Sequence, residues 1–188
     1  MQDSPLTPER ITEEAIALLN EAGLDGVSLR KLAERLGIKA PSLYWHFADK
    51  SALQAAVIER IFNTGLDSVP PHTDWKLWMR AFGEAMWTTQ RATRDFNRLV
   101  ATTQISAAQL ERTMARIARA LNRVDMELAE AMRIQSSVQA LVLGWSTFAH
   151  APYAGKLAET LDFDQLVRDN LELLIAGEAL KLRQAGEP

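Results

Sequence analysis

The chain has 188 residues, of which 47% are hydrophobic, contains no cysteine and carries a formal net charge of −3 at pH 7. This length allows one or two globular domains, and the lack of cysteine excludes disulfide bonds and thiolate chemistry. The N-terminal residues lack the basic start and apolar core of a signal peptide, and no apolar run approaches the roughly 20 residues of a membrane-spanning helix. We therefore expect a cytoplasmic protein.

Apolar residues recur at helical spacing along the whole chain, which predicts an all-α fold. Gly37 can adopt the left-handed conformation that a tight turn between two helices requires. The predicted N-terminal domain covers residues 1–65 and has a helix-turn-helix at about 28–47. Its four predicted helices span residues 8–22, 29–36, 40–46 and 50–65.

The segment Ser-Val-Pro-Pro-His at residues 68–72 interrupts the helical pattern, because proline cannot continue a helix. We place the domain boundary just before it and predict a second, helical domain over residues 66–188. Residues 151–155 are predicted to form a loop. The five further helices, which bring the total to about nine, cover residues 75–92, 95–104, 107–121, 125–149 and 163–182.

The charge of the helix-turn-helix segment differs from that of the rest of the chain. Residues 28–50 contain five basic and two acidic side chains, a local charge of +3 that leaves −6 for the remainder. A positive patch on an acidic protein is typical of focused contact with phosphates. In a helix-turn-helix the first helix braces the second, which enters the major groove of DNA. The segment therefore predicts sequence-specific DNA binding.

Side chains at the turn and on the third helix suit this task. Arg30 can bind O6 and N7 of a guanine, Ser42 can bond a base edge or a phosphate, and Pro41 can contact a thymine methyl group. The side chains suited to phosphate contacts are Tyr44, His46, Lys50 and, for a base or a phosphate, Lys39. A helix–Gly–helix unit is also common in proteins that bind no DNA. In that alternative Leu43, Phe47 and Trp45 only form the core of a small bundle.

Three motifs resemble the TetR family of transcriptional regulators: Thr-Pro-Glu-Arg-Ile at 7–11, Val-Ser-Leu-Arg-Lys-Leu-Ala-Glu-Arg-Leu-Gly-Ile at 27–38 and Leu-Tyr-Trp-His-Phe-Ala-Asp-Lys-Ser-Ala-Leu at 43–53. The form Leu-Tyr-Trp-His is especially similar to the tetracycline repressor branch. The resemblance covers residues 7–62. It implies nine or ten helices, a homodimer on a near-palindromic DNA operator and a small-molecule inducer that releases the DNA. It assigns DNA contacts to Arg30, Lys39, Ala40, Pro41, Ser42, Tyr44, Trp45, His46 and Lys50.

Three residues differ from the tetracycline repressors that the motifs resemble. Leu29 and Ala40 stand where those repressors have polar residues, and Lys39 stands where they have an acidic one. We therefore expect a different operator. The tetracycline repressors hold a magnesium–drug complex with core histidines, and no comparable pair is present here. A tetracycline ligand, a metal site and a cofactor are therefore not expected.

Aromatic and methionine side chains of the second domain suit an adaptable pocket for a hydrophobic or amphipathic ligand. Polar residues within the apolar stretch of the long helix would need partners if they are buried, and a ligand can supply one. The predicted ligand-binding residues are Trp78, Phe82, Met86, Phe96, Gln135 and Gln139. The alternative is that these residues are ordinary core.

Two helices carry more apolar surface than one core can cover, so we expect them to form a four-helix bundle across a two-fold axis. The predicted dimer-interface residues are Leu141, Gly144, Trp145, Leu171 and Leu174. A row of arginines at 112, 116, 119 and 123 is interpreted as a solvated helix face, with a nucleic-acid site or an anionic ligand as alternatives.

No catalytic motif appears: the sequence has no His-Glu-x-x-His, Walker-type loop or Ser/His/Asp pattern, so an enzyme is not expected. The predicted function is a homodimeric repressor that a small molecule releases from its operator. Two alternatives remain open: a helical small-molecule-binding protein without regulatory DNA binding, and a regulator with no small-molecule inducer.

Overall fold

A computed structural model describes residues 6–185, and within this range the chain folds into helices and no strands. The fold class is therefore all-α, as predicted. None of the helices described is both long and apolar enough to span a membrane. The helices are α1 (Pro8–Gly26), α2 (Leu29–Leu36), α3 (Ala40–Tyr44), α4 (Lys50–Asp67), α5 (Trp75–Arg91), α6 (Phe96–Thr102), α7 (Ala107–Leu121), α8 (Leu128–Ala149), α9 (Ala154–Leu157) and α10 (Phe163–Ala185).

Helix α1 begins as predicted but contains a break near its end. The Thr7 side chain accepts a hydrogen bond from the Arg10 N–H, and Pro8 occupies the first turn. Gly23 has φ 70° and ψ 175°, which is not helical, and one more turn follows to Gly26. The predicted end of α1 at residue 22 therefore coincides with this break, and the helix continues beyond it to Gly26.

The turn between α2 and α3 has the geometry that the sequence predicts. Ser28 caps α2 by accepting a hydrogen bond from the Lys31 N–H. Gly37 is left-handed, with φ 68° and ψ 29°, and its N–H donates to the carbonyl groups at the end of α2. Helix α3 ends at Tyr44 rather than at residue 46. The side chain of Leu43, in its last turn, is fully buried.

Helix α4 connects two hydrophobic cores. Asp49 caps it by accepting a hydrogen bond from the Ala52 N–H at 2.7 Å, and the helix runs two residues past the predicted end at Gly65. Ile61 belongs to the N-terminal core, whereas Leu66 belongs to the core of the second half of the chain. A movement of α4 therefore displaces both cores.

The second core lies between α5, α8 and α10. The rings of Trp78 and Phe82 stack with centroids 5.2 Å apart. A Cβ added at Gly83 would lie 2.6 Å from the Leu171 side chain, so a larger residue here would require Leu171 to move. Leu171 itself is fully buried in this core.

Long-range contacts shift several predicted boundaries. Asp125 accepts a hydrogen bond from the Trp75 N–H at 3.0 Å and donates its own N–H to Thr73, so α8 starts at Leu128 instead of residue 125. Asp95 is left-handed, with φ 56°, and α6 is shorter than predicted at both ends. The predicted loop at 151–155 is partly helical, since α9 begins at Ala154.

Candidate nucleic-acid interface and internal cavity

The helix-turn-helix presents a mixed basic and aromatic surface to solvent. Tyr44 is 55% exposed and Trp45 is 89% exposed, although both are large aromatic residues. Leu43 and Phe47 flank these two residues in the sequence and are buried in the N-terminal core. The core alternative therefore applies to Leu43 and Phe47 but is wrong for Trp45.

The structure brings the nine predicted DNA-contacting residues to the N-terminal ends of α2 and α3 and to the chain that follows α3. None of the nine is fully buried: Arg30, Lys39, Pro41, Tyr44, Trp45 and Lys50 are exposed, and Ala40, Ser42 and His46 are half-buried. Arg30 lies 3.6 Å from Glu34, and both side chains are mostly exposed, so this ion pair is weak and easily exchanged for another partner. Leu29, in contrast, packs inward.

A second arginine of α2 has a different environment. Arg35 donates one hydrogen bond to Glu14 at 2.7 Å and two to Glu21, at 2.6 and 2.9 Å. The hydrogen bonds to Glu21 and then Glu14 raise the pKa of Arg35. This residue therefore joins α2 to α1 and stabilises the orientation of the motif.

A network at the end of α1, which the sequence did not predict, attaches the helix-turn-helix domain to α6. The Asp95 carboxylate accepts a hydrogen bond from the Leu24 N–H at 2.8 Å. Arg94 donates to the Glu21 carbonyl group, and Arg98 pairs with Asp25 through two hydrogen bonds of 2.6 and 2.8 Å. The Arg98 guanidinium lowers the pKa of Asp25. We call the contacts of residues 94–98 with the end of α1 the α1–α6 junction.

An apolar cavity of about 410 Å³ lies between α4, α7 and α8. Its walls include Phe62, Leu110, Ile117 and Gln135. This volume lies within the range of ligand pockets for small molecules. We call it the outer compartment.

A smaller cavity of about 110 Å³ adjoins it between α4, α5, α6 and α8. We call it the inner compartment. Four residues line both spaces and separate them: Ile58, Phe62, Gln139 and Leu143. The inner compartment also contacts Phe96, whose ring is part of the N-terminal core. A molecule in this space would therefore touch helices of both halves.

The predicted ligand-binding residues fall into two groups. Gln135 lines the outer compartment, Met86 and Phe96 line the inner one, and Gln139 lines both. Phe82 and Trp78 do not line either compartment: they stack on each other in the second core, as the alternative interpretation expected. The sequence analysis missed Gln90, which lines the inner compartment and is buried, because an isolated glutamine in a helix gives no signal.

Four of the five predicted dimer-interface residues retain some exposure. Gly144 is exposed, and a Cβ added there would meet no atom within 4 Å among the described residues. Leu141, Trp145 and Leu174 are half-buried. The prediction for Leu171 is corrected, since this side chain is fully buried against α5 of its own chain.

Two exposed leucines of α10 were missed by the sequence analysis. Leu173 is 71% exposed and Leu180 is 50% exposed, and Gly177 lies between them with open space above it. Their spacing places all three on one side of the helix. The signal was available in the sequence, but the choice of the buried face of α10 concealed it.

The row of arginines on α7 is only partly solvated. Arg112 donates to Glu59 and Arg116 to Asp67, so two of the four side chains tie α7 to α4. The hydrogen bond to Glu59 raises the pKa of Arg112. Arg116, Arg119 and Arg123 line a cleft of about 430 Å³ beside Pro70 and Pro71. Arg112 nevertheless remains 58% exposed and Arg116 37% exposed, so the row faces solvent while two of its members form surface ion pairs.

The three histidines lie apart. His46 follows α3, and His72 lies in the loop before α5. The Nδ1 atom of His150 lies 2.7 Å from the Ser146 carbonyl oxygen at the end of α8. Across residues 6–185 no group of three or more histidine or carboxylate side chains is arranged to hold a metal ion.

Comparison with known proteins points to one family. The family model for bacterial regulatory proteins of the tetR family matches residues 11–57. The tetracycline repressor protein class A from transposon 1721 of Escherichia coli is 39% identical over 114 residues, which are 60% of this chain and 53% of that protein. The chain spans about half the length of the curated relatives it matches.

Solved structures of related fold superpose on nearly the whole chain. A variant of TetR from Acinetobacter baumannii AYE in complex with minocycline superposes with a TM-score of 0.69 at 29% identity, covering 92% of this chain and 96% of that one. Apo ActR from Streptomyces coelicolor has a TM-score of 0.73 over 98% of this chain and 100% of that one; its 22% identity shows the fold alone. The fold and the exposed motif thus define an all-α protein with an N-terminal helix-turn-helix. Residues 11–57 belong to the tetR family of bacterial regulatory proteins, and the chain as a whole shares the fold of a solved TetR structure.

Proposed function

We propose that this protein is a sequence-specific transcriptional repressor that binds a palindromic DNA operator as a homodimer and is released by a small, largely apolar ligand. The observation that carries the proposal is the exposed aromatic and basic surface around α3, which includes Trp45 at 89% exposure. An aromatic side chain so exposed contributes little to the stability of its own fold. Contact with a partner explains it, and the match at residues 11–57 indicates DNA.

The proposed contacts divide by chemistry. Arg30 and Ser42 reach base edges, with Pro41 and Ala40 offering small apolar surface to a thymine methyl group. The contacts to the phosphates come from Lys39, Tyr44, Trp45, His46 and Lys50. The base contacts would set the operator sequence, and the phosphate contacts would set the register.

A pull-down of genomic fragments with purified protein, followed by titration of the enriched DNA at two salt concentrations, tests DNA binding. We expect one short palindrome and a steep salt dependence. Arg30→Ala should weaken operator binding by ~1–3 kcal/mol and relax its sequence preference. Arg168→Ala, which removes an exposed arginine of α10, is the matched control. Enrichment of no sequence would favour a ligand-binding protein without regulatory DNA binding.

We propose that α8 and α10 form the dimer interface. Leu173, Gly177 and Leu180 form an uncovered apolar strip on α10, and Gly144 permits close approach of a second helix to α8. Leu141, Trp145 and Leu174 would add partly buried apolar surface. Two such pairs of helices, one from each subunit, would give a four-helix bundle.

The mass in solution tests this interface. Leu173→Glu places two like charges near the two-fold axis and should change the mass from twice 21.0 kDa to that of the monomer. Leu161→Glu, at another exposed leucine that lies outside the interface, should leave the dimer intact. A dimer that survives Leu173→Glu and Leu180→Glu together would refute this interface.

The release mechanism we propose is geometric. Two recognition helices must lie about 34–36 Å apart to enter successive major grooves. The inner compartment contacts α4 and α6, which pack against the N-terminal core. A ligand there would favour a state with a different separation, by no more than its difference in affinity for the two states. Equal separations in ligand-bound and DNA-bound crystals would refute this mechanism.

In this proposal residues 1–65 form the DNA-binding domain and residues 66–188 the regulatory and dimerisation domain. Helix α4 is the mechanical link, because it is continuous across the boundary.

A further inference from the structure

Two glutamine side chains at the inner compartment have acceptor atoms without donors. The Oε1 atoms of Gln90, on α5, and of Gln139, on α8, are buried and have no hydrogen-bond partner among the residues described. Gln90 is only 2% exposed, and both residues line the inner compartment. Buried polar atoms are nearly always hydrogen-bonded, because the water they have lost must be replaced. These two acceptors can therefore take a hydrogen bond from a donor supplied from outside the chain.

The other side chains that line the inner compartment offer these two oxygen atoms no free hydrogen-bond donor. Thr89 contributes a hydroxyl group to the wall, and that hydroxyl already donates to the Ala85 carbonyl oxygen at 2.8 Å. The remaining lining residues are apolar: Ile58, Ile61, Phe62, Met86, Phe96, Val100 and Leu143. A ligand here must be mostly apolar and must carry at least one N–H or O–H group.

The two volumes limit the shape of the ligand. The inner compartment, about 110 Å³, approaches the size of a cavity of roughly 150 Å³ that holds benzene in another protein. The outer compartment is several times larger and shares Gln139 and Phe62 with it. A ligand that fills both has a narrow end of about one ring and a larger apolar part.

The charge of the residues that line the two compartments limits the choice of ligand further. Glu59 is the ionisable residue that lines the outer compartment in the described part of the chain, and it accepts hydrogen bonds from Arg112 and Gln109. No unpaired charge therefore faces the ligand. A charged group placed inside the compartments would lose its hydration without gaining an ionic partner.

From these observations we infer that the effector is a neutral, largely apolar molecule whose narrow end carries a hydrogen-bond donor to the amide oxygens of Gln90 and Gln139. This inference rests on the proposed function, since it specifies the ligand that would release the DNA. It assigns Gln90 and Gln139 the role of selecting a ligand with a donor over an equally apolar one without it.

Matched probes test the inference. We would measure by calorimetry the binding of 4-hexylphenol, of its methyl ether, which lacks the donor, and of 4-hexylbenzoate, which is charged. The phenol should bind about 10-fold more tightly than the ether, as expected when a buried acceptor loses its donor. The benzoate should show no binding at the same concentrations. Equal affinities of phenol and ether, or no binding of either, would overturn the inference.

Variants locate the effect. Gln90→Leu and Gln139→Leu should each reduce the preference for the phenol to about 3-fold or less, and the double variant should abolish it. Gln165→Leu is the control, because this exposed glutamine of α10 lines neither compartment. Thermal unfolding without ligand checks the fold of each variant, and Gln90→Met replaces Gln90→Leu if that variant does not fold. An unchanged preference in the double variant would overturn the assignment.

Operator binding is measured separately with the same proteins. If the protein binds its operator and other compounds release it without any preference for a donor, the inference fails and the proposed function stands. If the phenol preference depends on both glutamines but no operator is found, the proposed function fails and the ligand site stands.

Discussion

Replacing Gly23 by alanine tests whether the α1–α6 junction is built on this glycine. Its backbone, at φ 70° and ψ 175°, lies in a region that essentially only glycine adopts. An added Cβ would also lie 2.8 Å from the Asp95 carboxylate, which accepts the hydrogen bond from the Leu24 N–H. Backbone strain and displacement of that carboxylate should therefore act together.

The expected loss follows from these two contributions. Residues forced into such a conformation cost ~1–3 kcal/mol, and weakening a hydrogen bond to a charged group costs ~1.5–3 kcal/mol when it is lost entirely. The alanine reduces the entropy of the unfolded chain, which offsets ~0.4–1 kcal/mol. Gly23→Ala should thus lower the free energy of unfolding by about 2–4 kcal/mol and the Tm by roughly 5–15 °C.

Gly37→Ala provides the matched comparison. Gly37 also has positive φ, but its ψ of 29° is accessible to other residues at a cost of ~1–2 kcal/mol, and an added Cβ there would meet no atom within 4 Å among the described residues. Urea unfolding of both variants at one protein concentration should therefore rank Gly23→Ala as the more damaging. An equal or reversed ranking would refute the idea that the contact with Asp95 matters.

Three further predictions concern single contacts. Trp45→Ala should change the free energy of unfolding by less than ~0.5 kcal/mol but weaken operator binding, as measured by urea titration and DNA titration; a large stability loss would contradict its exposure of 89%. Arg133→Ala should cost about 1–2 kcal/mol, because it removes the main partner of the buried Glu178 while Arg133 itself is half-exposed; a loss no larger than that of Arg30→Ala would count against this pairing. The Trp87 indole N–H and then Arg91 lower the pKa of Asp164, so this carboxylate stabilises the fold at neutral pH and the contribution is lost as the pH falls below about 4. Unfolding measured from pH 6 to 3 should show a shallower decline for Asp164→Asn, and parallel curves would contradict the role of Asp164.

The sequence predicts helices accurately where the residues that end them are local. The bounds of α2 and α7 are as predicted, because Ser28 and Gly37 enclose the first and Ser106 forms a capping box with Gln109 at the start of the second. The start of α8 was wrong because Asp125 bonds to the backbone near Trp75, about fifty residues away in sequence. Such a contact leaves no mark on the local pattern.

The same distinction applies to the candidate sites. The basic and aromatic surface around α3 could be predicted, since a short motif holds all of its residues. The side of a helix that is covered depends on the packing of the whole chain. For this reason the sequence analysis places Leu171 in the dimer interface and does not identify Leu173. Gln90 depends on helices from three regions of the chain, so no local pattern could identify it.

The burial of Phe96 and Leu99 in the N-terminal core has a consequence for protein engineering. The proposed DNA-binding domain does not contain its whole core, because two of the core side chains come from a helix some thirty residues beyond residue 65. A fragment that ends at residue 65 would lack the Phe96 and Leu99 side chains and would have an apolar cavity where they pack. A chimera that exchanges this domain between relatives should therefore transfer residues 94–99 together with it. The transferred part of α6 then fits the core that was transferred with it.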